Sequence, residues 1–503
     1  MKHRLIAACA ALAIALAACG GDDESAGTAD TATTEDVTTT ESAASTTGAA
    51  PATTEEDSPE TTEAEATQTT AEETTATTSA SVEGVLNVPA DFESIQAAVD
   101  AAAPGDLILI APGTYNEAVD VGTDELTIRG LDRDTVILDG EFELDNAIRV
   151  LGAQDVAVEN LTTINYTNNG VFWVGATGYR ASYITTYRTG DYGIYAFDST
   201  NGLIENSHTV GSRDAGVYIG QCYPCDAVMR NVESNNNGLG YSGTNSGGNL
   251  LIINSAFHNN RAGVVPNSGS YELCYPERET TIVGNLVYDN NQTDTPAIDV
   301  ALLAQGNGIL VAGGINNVIE RNRIDNHNRT GIGLVPFLEE FPNDDMPTEE
   351  EWATPCSEQK NETPTVPEGA LLWESIGNRV FGNVVTNSRE ADLAVASAGG
   401  DISTFRNCFG DNEFTTTAPT NLQSLAPCDG EGDGGDWTAG DLNVIRWLAE
   451  QATLPPEVDW REAPLPEIGT HENMPDAATA PAAAAVGMPP TVDLAAIETP
   501  ELP

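Results

Sequence analysis

A glycine recurs at a nearly fixed interval through the middle of the chain. The members of this series are spaced by 23, 23, 24 and 23 residues, and they are Gly170, Gly193, Gly216, Gly240 and Gly263. Each glycine opens a short segment in which alternate residues are apolar, as in Gly193-Ile194-Tyr195-Ala196. A constant period of this length, built from strands of period two, predicts a β-solenoid whose coils stack around a shared interior.

A second short strand in each repeat ends in asparagine. These residues are Asn160, Asn206, Asn231 and Asn254, and the pattern returns near Asn285, Asn322, Asn383 and Asn407. Asparagine is common at turns, but a turn preference alone does not explain the fixed spacing, which an amide ladder between coils does. We therefore predict an all-β fold, a single-stranded right-handed parallel β-helix, over residues 83–428.

The charge of the chain is strongly acidic and unevenly distributed. The 503 residues include 20 Lys plus Arg and 77 Asp plus Glu, for a net charge of −57. No lysine or arginine lies between Arg4 and Arg129, whereas residues 170–262 carry both signs in similar numbers. Such a chain is repelled by nucleic acid and by anionic membranes, so we expect no nucleic-acid partner. A neutral or anionic ligand is least disfavoured at the central coils.

The N-terminus reads as a secretory leader over residues 1–18, with Lys2 and Arg4 before an apolar run. The stretch Leu16-Ala17-Ala18-Cys19-Gly20 resembles the bacterial lipobox, and this resemblance implies acylation of Cys19. The alternatives are an ordinary cleaved signal and an uncleaved anchor. Residues 19–82 are rich in Thr, Glu and Ala, which predicts a disordered linker. We expect a monomer anchored by lipid to the outer face of a bacterial membrane.

An amphipathic helix is predicted at residues 88–102, where it would cover the open end of the first coil. Ser94-Ile95-Gln96-Ala97-Ala98-Val99, Pro112-Gly113-Thr114-Tyr115 and Leu126-Thr127-Ile128-Arg129-Gly130 resemble the opening of pectinesterase-like and periplasmic right-handed β-helix proteins. Asp214-Ala215-Gly216-Val217-Tyr218-Ile219-Gly220-Gln221 resembles a bacterial family of secreted β-helix repeat proteins within the pectin lyase-like superfamily. That group is related to the accessory β-helix proteins of nitrous-oxide reductase. The resemblance implies the fold and secretion.

Alternation assigns the outward residues of the strands that follow the glycines. The predicted outward column contains Arg149, Phe172, Tyr195, Tyr218, Ser242 and Val265. Insertions at 266–280, 291–306 and 337–369 lengthen the coils and are expected to gather on one face. Residues 429–460 are predicted to hold a helix, at 437–452, that packs on the C-terminal end, and residues 461–503 to be a disordered tail.

Six cysteines follow the leader region, and an exported chain is expected to form disulfides. Cys408 with Cys428 is the favoured pair, and Cys222 with Cys225 leaves Cys274 with Cys356. A zinc site of four thiolates, from Cys222, Cys225, Cys274 and Cys356, is the alternative.

Known catalytic motifs of β-helix enzymes are missing. The segment 191–198 resembles a mannuronan epimerase motif, but Tyr195, Ala196 and Phe197 stand where that family has Asp-Pro-His. The pectinesterase motifs are absent, and no dense Asp cluster indicates the calcium site of a pectate lyase. No metal or other cofactor is therefore predicted.

A site, if present, is predicted where polar and aromatic residues lie on successive coils. Arg213, Asp214 and Asp198 are the weak catalytic candidates, because an Arg–Asp neighbour pair can clamp a carboxylate or move a proton. The alternative for Arg213 and Asp214 is a surface ion pair, and His208 and His258 read as solvated turn residues. The substrate-binding candidates are Tyr195, Tyr218, Gln221, Tyr241, Asn245 and Asn267.

Three functions remain open at this point. The first is a cell-surface lipoprotein that binds extracellular polysaccharide, without catalysis or with lyase or epimerase activity. The second is a structural or protein-interaction scaffold of the cell envelope. The third, copper handling, is weak because the five His and five Met residues do not cluster in the sequence.

Overall fold

The computed structural model describes residues 84–359, 363–451, 453–454, 458–483 and 491–503. The predicted leader, Cys19 and the whole predicted linker at 19–82 lie outside these residues. The part of the chain described here therefore begins at the first coil.

Each coil contributes strands to three faces, and all the pairs between coils are parallel. Face 1 is a sheet of eleven strands within the described residues, namely Val119–Val121, Asn146–Leu151, Asn169–Val174, Ile194–Phe197, Ala215–Gly220, Leu239–Thr244, Ala262–Asn267, Ile309–Ala312, Thr330–Val335, Ala391–Val395 and Thr417–Ala418. Face 2 contains Val85–Val88, Leu107–Ile110, Thr127–Gly130, Thr200–Glu205, Ala227–Arg230, Gly247–Ile253, Arg278–Val283, Val318–Glu320, Arg379–Phe381 and Cys408–Gly410. Face 3 contains Gly113–Tyr115, Val136–Asp139, His208–Val210, Glu233–Asn235, Ala256–His258, Leu286–Tyr288, Arg323–Asp325 and Val384–Thr386. The long strands Val156–Ile164 and Thr177–Tyr187 belong to faces 2 and 3 at once, because they continue around the corner between them.

The register of face 1 confirms the predicted inward and outward residues. Val171 pairs with Ile194, and Ile194 pairs with Val217, at the 23-residue interval. These three side chains are completely buried in one core that runs through the coils. Burial of a side chain of this size stabilises the fold by about 1.5–3 kcal/mol, and it is available only when a neighbouring coil covers it.

The recurring glycines lie at a crowded corner. A Cβ atom on Gly216 would clash with the hydroxyls of Thr209 and Ser234, and one on Gly193 would clash with the hydroxyl of Thr186. Those hydroxyls belong to the corner that the coil has just turned. Glycine recurs because no larger residue fits beside them.

The asparagines form two groups with different roles. Asn206, Asn231 and Asn254 are turn residues in the left-handed region, with φ of 50°, 52° and 48°. Asn285 and Asn322 lie one position further on, are fully buried, and form a ladder in which Asn285 Nδ2 donates to Asn322 Oδ1 at 3.0 Å. The turn preference therefore explains the first group, and the amide ladder between coils explains the second. Asn322 Nδ2 donates in the same way to Asn383 Oδ1 at 3.0 Å, and a separate ladder joins Asn378 to Asn407 at 3.1 Å.

A helix covers the N-terminal end of the core, as predicted, although it is shorter than 88–102. This helix, α1, is Ile95–Ala101, and it buries Ile95, Ala98 and Val99. The carboxylate of Glu117 accepts the backbone N–H groups of Ile95 and Gln96 at 3.0 Å each. A carboxylate at this position satisfies donors that the first turn of a helix leaves without partners.

The insertions gather on face 1, as predicted. Residues 291–306 contain α2, Asp299–Ala304. Residues 337–369 contain the strand Phe337–Glu339, which pairs antiparallel with Leu371–Trp373, a 3₁₀ turn at Glu351–Ala353, and α3, Cys356–Gln359. Face 1 is therefore the face around which the chain has added material.

Three disulfides are present, and they are the predicted pairs Cys222–Cys225, Cys274–Cys356 and Cys408–Cys428. Cys274–Cys356 ties the 266–280 insertion to the 337–369 insertion. The four cysteines of the alternative zinc site are thus paired with one another and offer no thiolate ligands.

The C-terminal end of the core is covered by α4, Leu422–Leu425, and by Trp437, which packs against the core. A further helix, α5, is Val444–Gln451. The prediction that this helix packs on the C-terminal end is wrong. Its buried Trp447 packs with Val265 and Leu310 on the outer side of face 1, because the insertions leave an apolar surface there.

The tail differs from the disorder expected for 461–503. Residues 458–483 and 491–503, which we call the C-terminal strap, lie along faces 2 and 3, and a 3₁₀ turn is present at Leu494–Ala496. Arg188 donates to the carbonyls of Trp460 and Ala463 at 3.0 Å each, and Arg321 donates to the carbonyl of Ile497 at 3.0 Å. The tail is ordered here because arginines on the coils bind its backbone and because apolar residues such as Ile497 pack on face 2.

Candidate functional site

Aromatic side chains stand on neighbouring coils of face 1 and point outward. Phe172 pairs with Tyr195, and Tyr195 pairs with Tyr218, so the predicted outward column is confirmed by the strand register. Tyr192, at the corner before Gly193, and Phe197, two residues after Tyr195, complete the group. We call these five residues the aromatic platform.

The rings of the platform are in direct contact. The ring centroids of Phe172 and Tyr195 are 4.8 Å apart, and those of Tyr195 and Tyr218 are 4.7 Å apart. Tyr192 is stacked on Tyr195 at 4.4 Å, and Phe197 is stacked beside Tyr195 at 5.8 Å. The two explanations weighed for such columns, ring contacts within the protein and sugar binding, are compatible, because Phe172 and Tyr195 contact each other and are still partly exposed.

The 266–280 insertion brings a carboxyl group to the edge of the platform. Glu272 accepts a hydrogen bond of 2.5 Å from the Tyr218 hydroxyl. The loop is fixed in place by Gln221, whose Oε1 accepts the backbone N–H of Leu273 at 2.9 Å, and by Asn245, whose Nδ2 donates to the carbonyls of Gly269 and Glu272 at 2.6 and 2.9 Å.

A second carboxyl group lies at the corner that leads into face 1. Asp214 stacks one coil beyond Asp191, and its backbone N–H donates to the Asp191 carbonyl at 3.0 Å. Its side chain is 7% exposed and is hydrogen-bonded to Tyr192. Burial, with the neighbouring charge of Asp191, raises the pKa of Asp214 to about 7, although Tyr192 and Arg213 act in the opposite direction.

Burial among the tyrosines likewise raises the pKa of Glu272 to about 8, and the charge of Asp214 adds to this effect. The two carboxyl groups therefore interact through space across the platform. Each one titrates near neutral pH, where one can hold a proton while the other is ionised. Two such carboxyl groups are the arrangement that general acid and base catalysis requires.

The structure brings together only some of the predicted site residues. Tyr195, Tyr218 and Asp214 belong to the platform and its carboxyl groups, and Arg213 lies beside Asp214. Asp198 follows Phe197 at the opposite corner of face 1, where φ is 53°.

Three of the predicted binding residues support the site rather than form it, and one is a core residue. Gln221 and Asn245 hold the Glu272 loop, and Asn267 donates to the Tyr271 hydroxyl at 2.5 Å. The prediction for Tyr241 is wrong. Its side chain is completely buried in the core and points towards the carbonyl of Ile219, because it follows Gly240 at the first inward position of its strand.

Two residues of the site were not predicted. Tyr192 precedes a repeat glycine and lies at the corner before the strand Ile194–Phe197, where the alternation of the strand assigns no side. Glu272 gave no signal either, since it is 54 residues from Tyr218 in an insertion without a repeat. Only the closure of that insertion over face 1 places it.

Three histidines of the described residues, His208, His258 and His471, lie near one another although they are far apart in the sequence. His208 Nδ1 lies 3.1 Å from His471 Nε2, and His258 Nε2 lies 3.1 Å from Glu233 Oε1, all on or beside face 3. Across the described parts of the chain, no group of three or more His, Cys, Asp or Glu side chains has the arrangement of a metal site. No helix in those parts is long and apolar enough to cross a membrane.

The stacked coils and the aromatic platform together define a β-helix protein whose elaborated face is face 1. Residues 146–336 match the family model described as the right handed beta helix region, and the fold of the described residues is a right-handed parallel β-helix. No curated protein sequence matches it.

Several solved structures are similar to this chain. The A-module of a mannuronan C-5 epimerase from Azotobacter vinelandii is 15% identical, with a TM-score of 0.43, over 70% of this chain and 95% of that one. An alginate lyase from a Paenibacillus species is 16% identical, with a TM-score of 0.32, over 47% and 89%. The catalytic unit of an alpha-1,3-glucanase from Streptomyces thermodiastaticus is 13% identical, with a TM-score of 0.39, over 67% and 64%.

Proposed function

We propose that face 1 binds an extracellular polysaccharide on the aromatic platform, and that Asp214 and Glu272 act on a glycosidic bond as an acid and base pair. The observation that carries the proposal is the pair of carboxyl groups with raised pKa beside stacked, partly exposed rings. The apolar C–H face of a sugar packs on an aromatic ring, and the carboxyl pair supplies and accepts protons.

The charge around the platform favours a neutral sugar and hydrolysis. The charge of Asp191 already raises the pKa of Asp214, and the charge of Asp214 raises the pKa of Glu272. A uronate, the substrate of the lyases and epimerases considered from the sequence, would add another negative charge, and the described residues offer no metal cluster to neutralise it. We therefore propose hydrolysis of an uncharged glycan.

The experiment uses the full chain and a glycan array, followed by measurement of new reducing ends on each glycan that binds. Glu272→Gln keeps the shape of the side chain but removes its titration, so we expect turnover to fall by at least about 100-fold while the glycan still binds. Glu93→Gln, an exposed acid on the N-terminal cap, is the matched control and should leave turnover unchanged.

The pH dependence gives a second measurement. With one carboxyl group ionised and the other protonated in the active form, turnover should be greatest between about pH 7 and 8 and fall on both sides. Glycan binding without any turnover in the wild type would instead support non-catalytic polysaccharide binding, and the absence of any binding on the array would support the scaffold.

The location is proposed from the sequence. The lipobox resemblance at Cys19 supports a lipid anchor on the outer face of the membrane, with the acidic linker holding the β-helix away from it. Cells expressing the full chain should incorporate labelled palmitate into the protein, and Cys19→Ser should abolish the label and release the protein from membranes.

A further inference from the structure

An apolar cavity, partly open to solvent, lies on face 1, on the coils that follow the aromatic platform. Its cavity volume is about 100 Å³, which is more than a single water molecule needs. The floor consists of outward residues of the face 1 strands, among them Val265, Leu310 and Ala312. The walls are α2, α5 and the antiparallel pair Phe337–Glu339 and Leu371–Trp373.

The lining of this cavity, which we call the apolar pocket, is almost entirely hydrocarbon. Asn267 is the one residue with a polar side chain in it besides Trp447, and no lining residue is charged. Water in such a cavity finds too few hydrogen-bond partners to be held firmly. At the rim, Ile445 is 54% exposed and Leu338 is 38% exposed, so the opening is apolar as well.

The polar end of the pocket faces the aromatic platform. Val265 pairs with Ser242, and Ser242 pairs with Tyr218, so the pocket floor continues the platform column along face 1. Asn267 donates to Tyr271, which precedes Glu272 in the chain, and the Tyr271 ring lies 6.2 Å from Phe337 of the pocket wall. The loop that carries Glu272 is thus the shared border of the two sites.

We propose that the apolar pocket binds the hydrocarbon chain of an amphipathic saccharide whose sugar lies on the aromatic platform. The inference rests on the proposed function for the identity of the sugar site. A lone apolar ligand would explain the lining of the pocket, but it would not explain why the polar end adjoins the acid and base pair. The source of the saccharide, a membrane glycolipid or an acylated polysaccharide, shares this chemistry.

The pocket is tested first by itself, with cis-parinaric acid, a fluorescent fatty acid, titrated into the full chain below its micelle concentration. We expect saturable binding. Ala312→Phe places a ring in the cavity and should weaken binding at least about 10-fold, whereas Leu151→Gln, at an exposed apolar residue of face 1 outside the pocket, should not change it. Near-ultraviolet circular dichroism shows whether each variant keeps the native packing.

Quenching of tryptophan fluorescence by dibrominated stearic acid then locates the bound hydrocarbon. The indole of Trp447 forms part of the wall, so the bromines should quench it, and Trp447→Phe should lose that component while still binding cis-parinaric acid. If natively folded Ala312→Phe binds the probe as tightly as the wild type, or if Trp447→Phe retains the full quenching, the hydrocarbon is elsewhere and the proposal fails.

The link to the sugar site is tested with methyl and octyl glycosides of the sugar that binds on the array. The octyl glycoside should bind at least about 100-fold more tightly, and Ala312→Phe should remove most of that gain. If the two glycosides bind with equal affinity while the probe still binds, the proposal of an amphipathic ligand fails but the proposed function does not. Failure of both glycosides to bind, with the probe still bound, would overturn the proposed function as well.

The two sources are separated in a final arm. Vesicles containing a glycolipid with that sugar, and the same sugar polymer with and without its acyl groups, compete with cis-parinaric acid. Displacement by the vesicles alone identifies a glycolipid, and displacement by the acylated polymer alone identifies the polysaccharide. Displacement by neither would overturn the proposal.

Discussion

Faces 1 and 2 both carry apolar side chains on their outer surfaces, but those of face 2 are covered by another segment of the chain and those of face 1 are left open. On face 2, the outward residues Leu203, Val228, Ile253 and Val283 are buried because Ile497 of the C-terminal strap packs on them. On face 1, the insertions build walls around the apolar surface and leave the platform and the pocket open. An apolar patch that the chain covers is structural, whereas one that it encloses but leaves open is suited to a ligand.

The polar groups show the same contrast. On face 2, Arg129 and Glu159 form an ion pair of 2.7 Å in which both side chains are almost completely buried, and Arg129 also donates to the strap carbonyls of Ala480 and Pro481 at 2.7 and 2.9 Å. On face 1, Arg149 and Asp120 form a pair of 2.8 Å that is exposed to solvent. Charges on face 2 are used to hold the strap, and those around the platform remain able to titrate.

The largest expected effect comes from breaking the buried pair. Arg129→Ala leaves the buried Glu159 carboxylate with Arg180 alone, at 3.5 Å, so it should reduce the free energy of unfolding by about 3 kcal/mol, the lower end for a broken buried pair. Arg149→Ala removes the exposed pair and should cost no more than about 1 kcal/mol. Chemical denaturation of both variants measures the difference, and equal losses would show that the strap does not close face 2.

A smaller effect is expected where the strap packs on face 2. Ile497→Ala removes the apolar anchor, which is 8% exposed, and should cost about 2 kcal/mol. Hydrogen exchange should show faster opening of residues 491–503 while face 1 is unaffected. Leu502→Ala, at a position 42% exposed in the same segment, is the control and should change stability by less than about 0.5 kcal/mol. A global loss of protection in Ile497→Ala would contradict a local role.

The strap should also loosen in acid. Burial lowers the pKa of His208 to about 4, from an ordinary 6.5, and also lowers the pKa of His471, with which His208 shares a hydrogen bond. A group whose folded pKa is depressed in this way favours the strap-bound state when neutral. The contribution is therefore constant above about pH 6.5 and is lost as the pH falls towards 4.

The charged groups around this histidine pair shift its pKa values in both directions. Arg133 disfavours a further positive charge, whereas Glu233, whose pKa is held at about 2 by His258, attracts one, as does Asp134 at His471. We expect amide protection in residues 466–476 to fall by up to about 10-fold for each pH unit below 6, and His471→Asn to remove that dependence. Protection that is constant from pH 7 to 4 in the wild type would exclude the effect.

The smallest effect is expected on the open face. Tyr195→Ala removes the central ring of the platform and should weaken glycan binding about 5- to 10-fold, since a single aromatic contact contributes on the order of 1 kcal/mol. Tyr288→Ala, which removes an aromatic residue of face 3 stacked on His258, is the matched control. Similar affinities in the two variants would place the sugar away from face 1.

The sequence predicted the coils with their faces and core, the N-terminal cap and the three disulfide pairs. The 23-residue period and the alternation of apolar residues are local patterns. Because each coil repeats the same arrangement of strands, the pattern of one coil predicts the next. The column Phe172, Tyr195 and Tyr218 follows from the same regularity. Tyr241 was misassigned as a binding residue although the same alternation, which points Ser242 outward, already points Tyr241 into the core.

The parts that depart from the repeat were decided only by tertiary structure. Glu272 reaches Tyr218 because the 266–280 insertion folds back over face 1, α5 leaves the end of the coils for an apolar surface that two insertions create, and the C-terminal strap is ordered by arginines far from it in the chain. The residues that make these contacts do not recur at a fixed interval in the sequence. Period and alternation therefore determine the β-helix, whereas the site on face 1 depends on which insertion meets which coil, and that is settled by burial and hydrogen bonding in the folded chain.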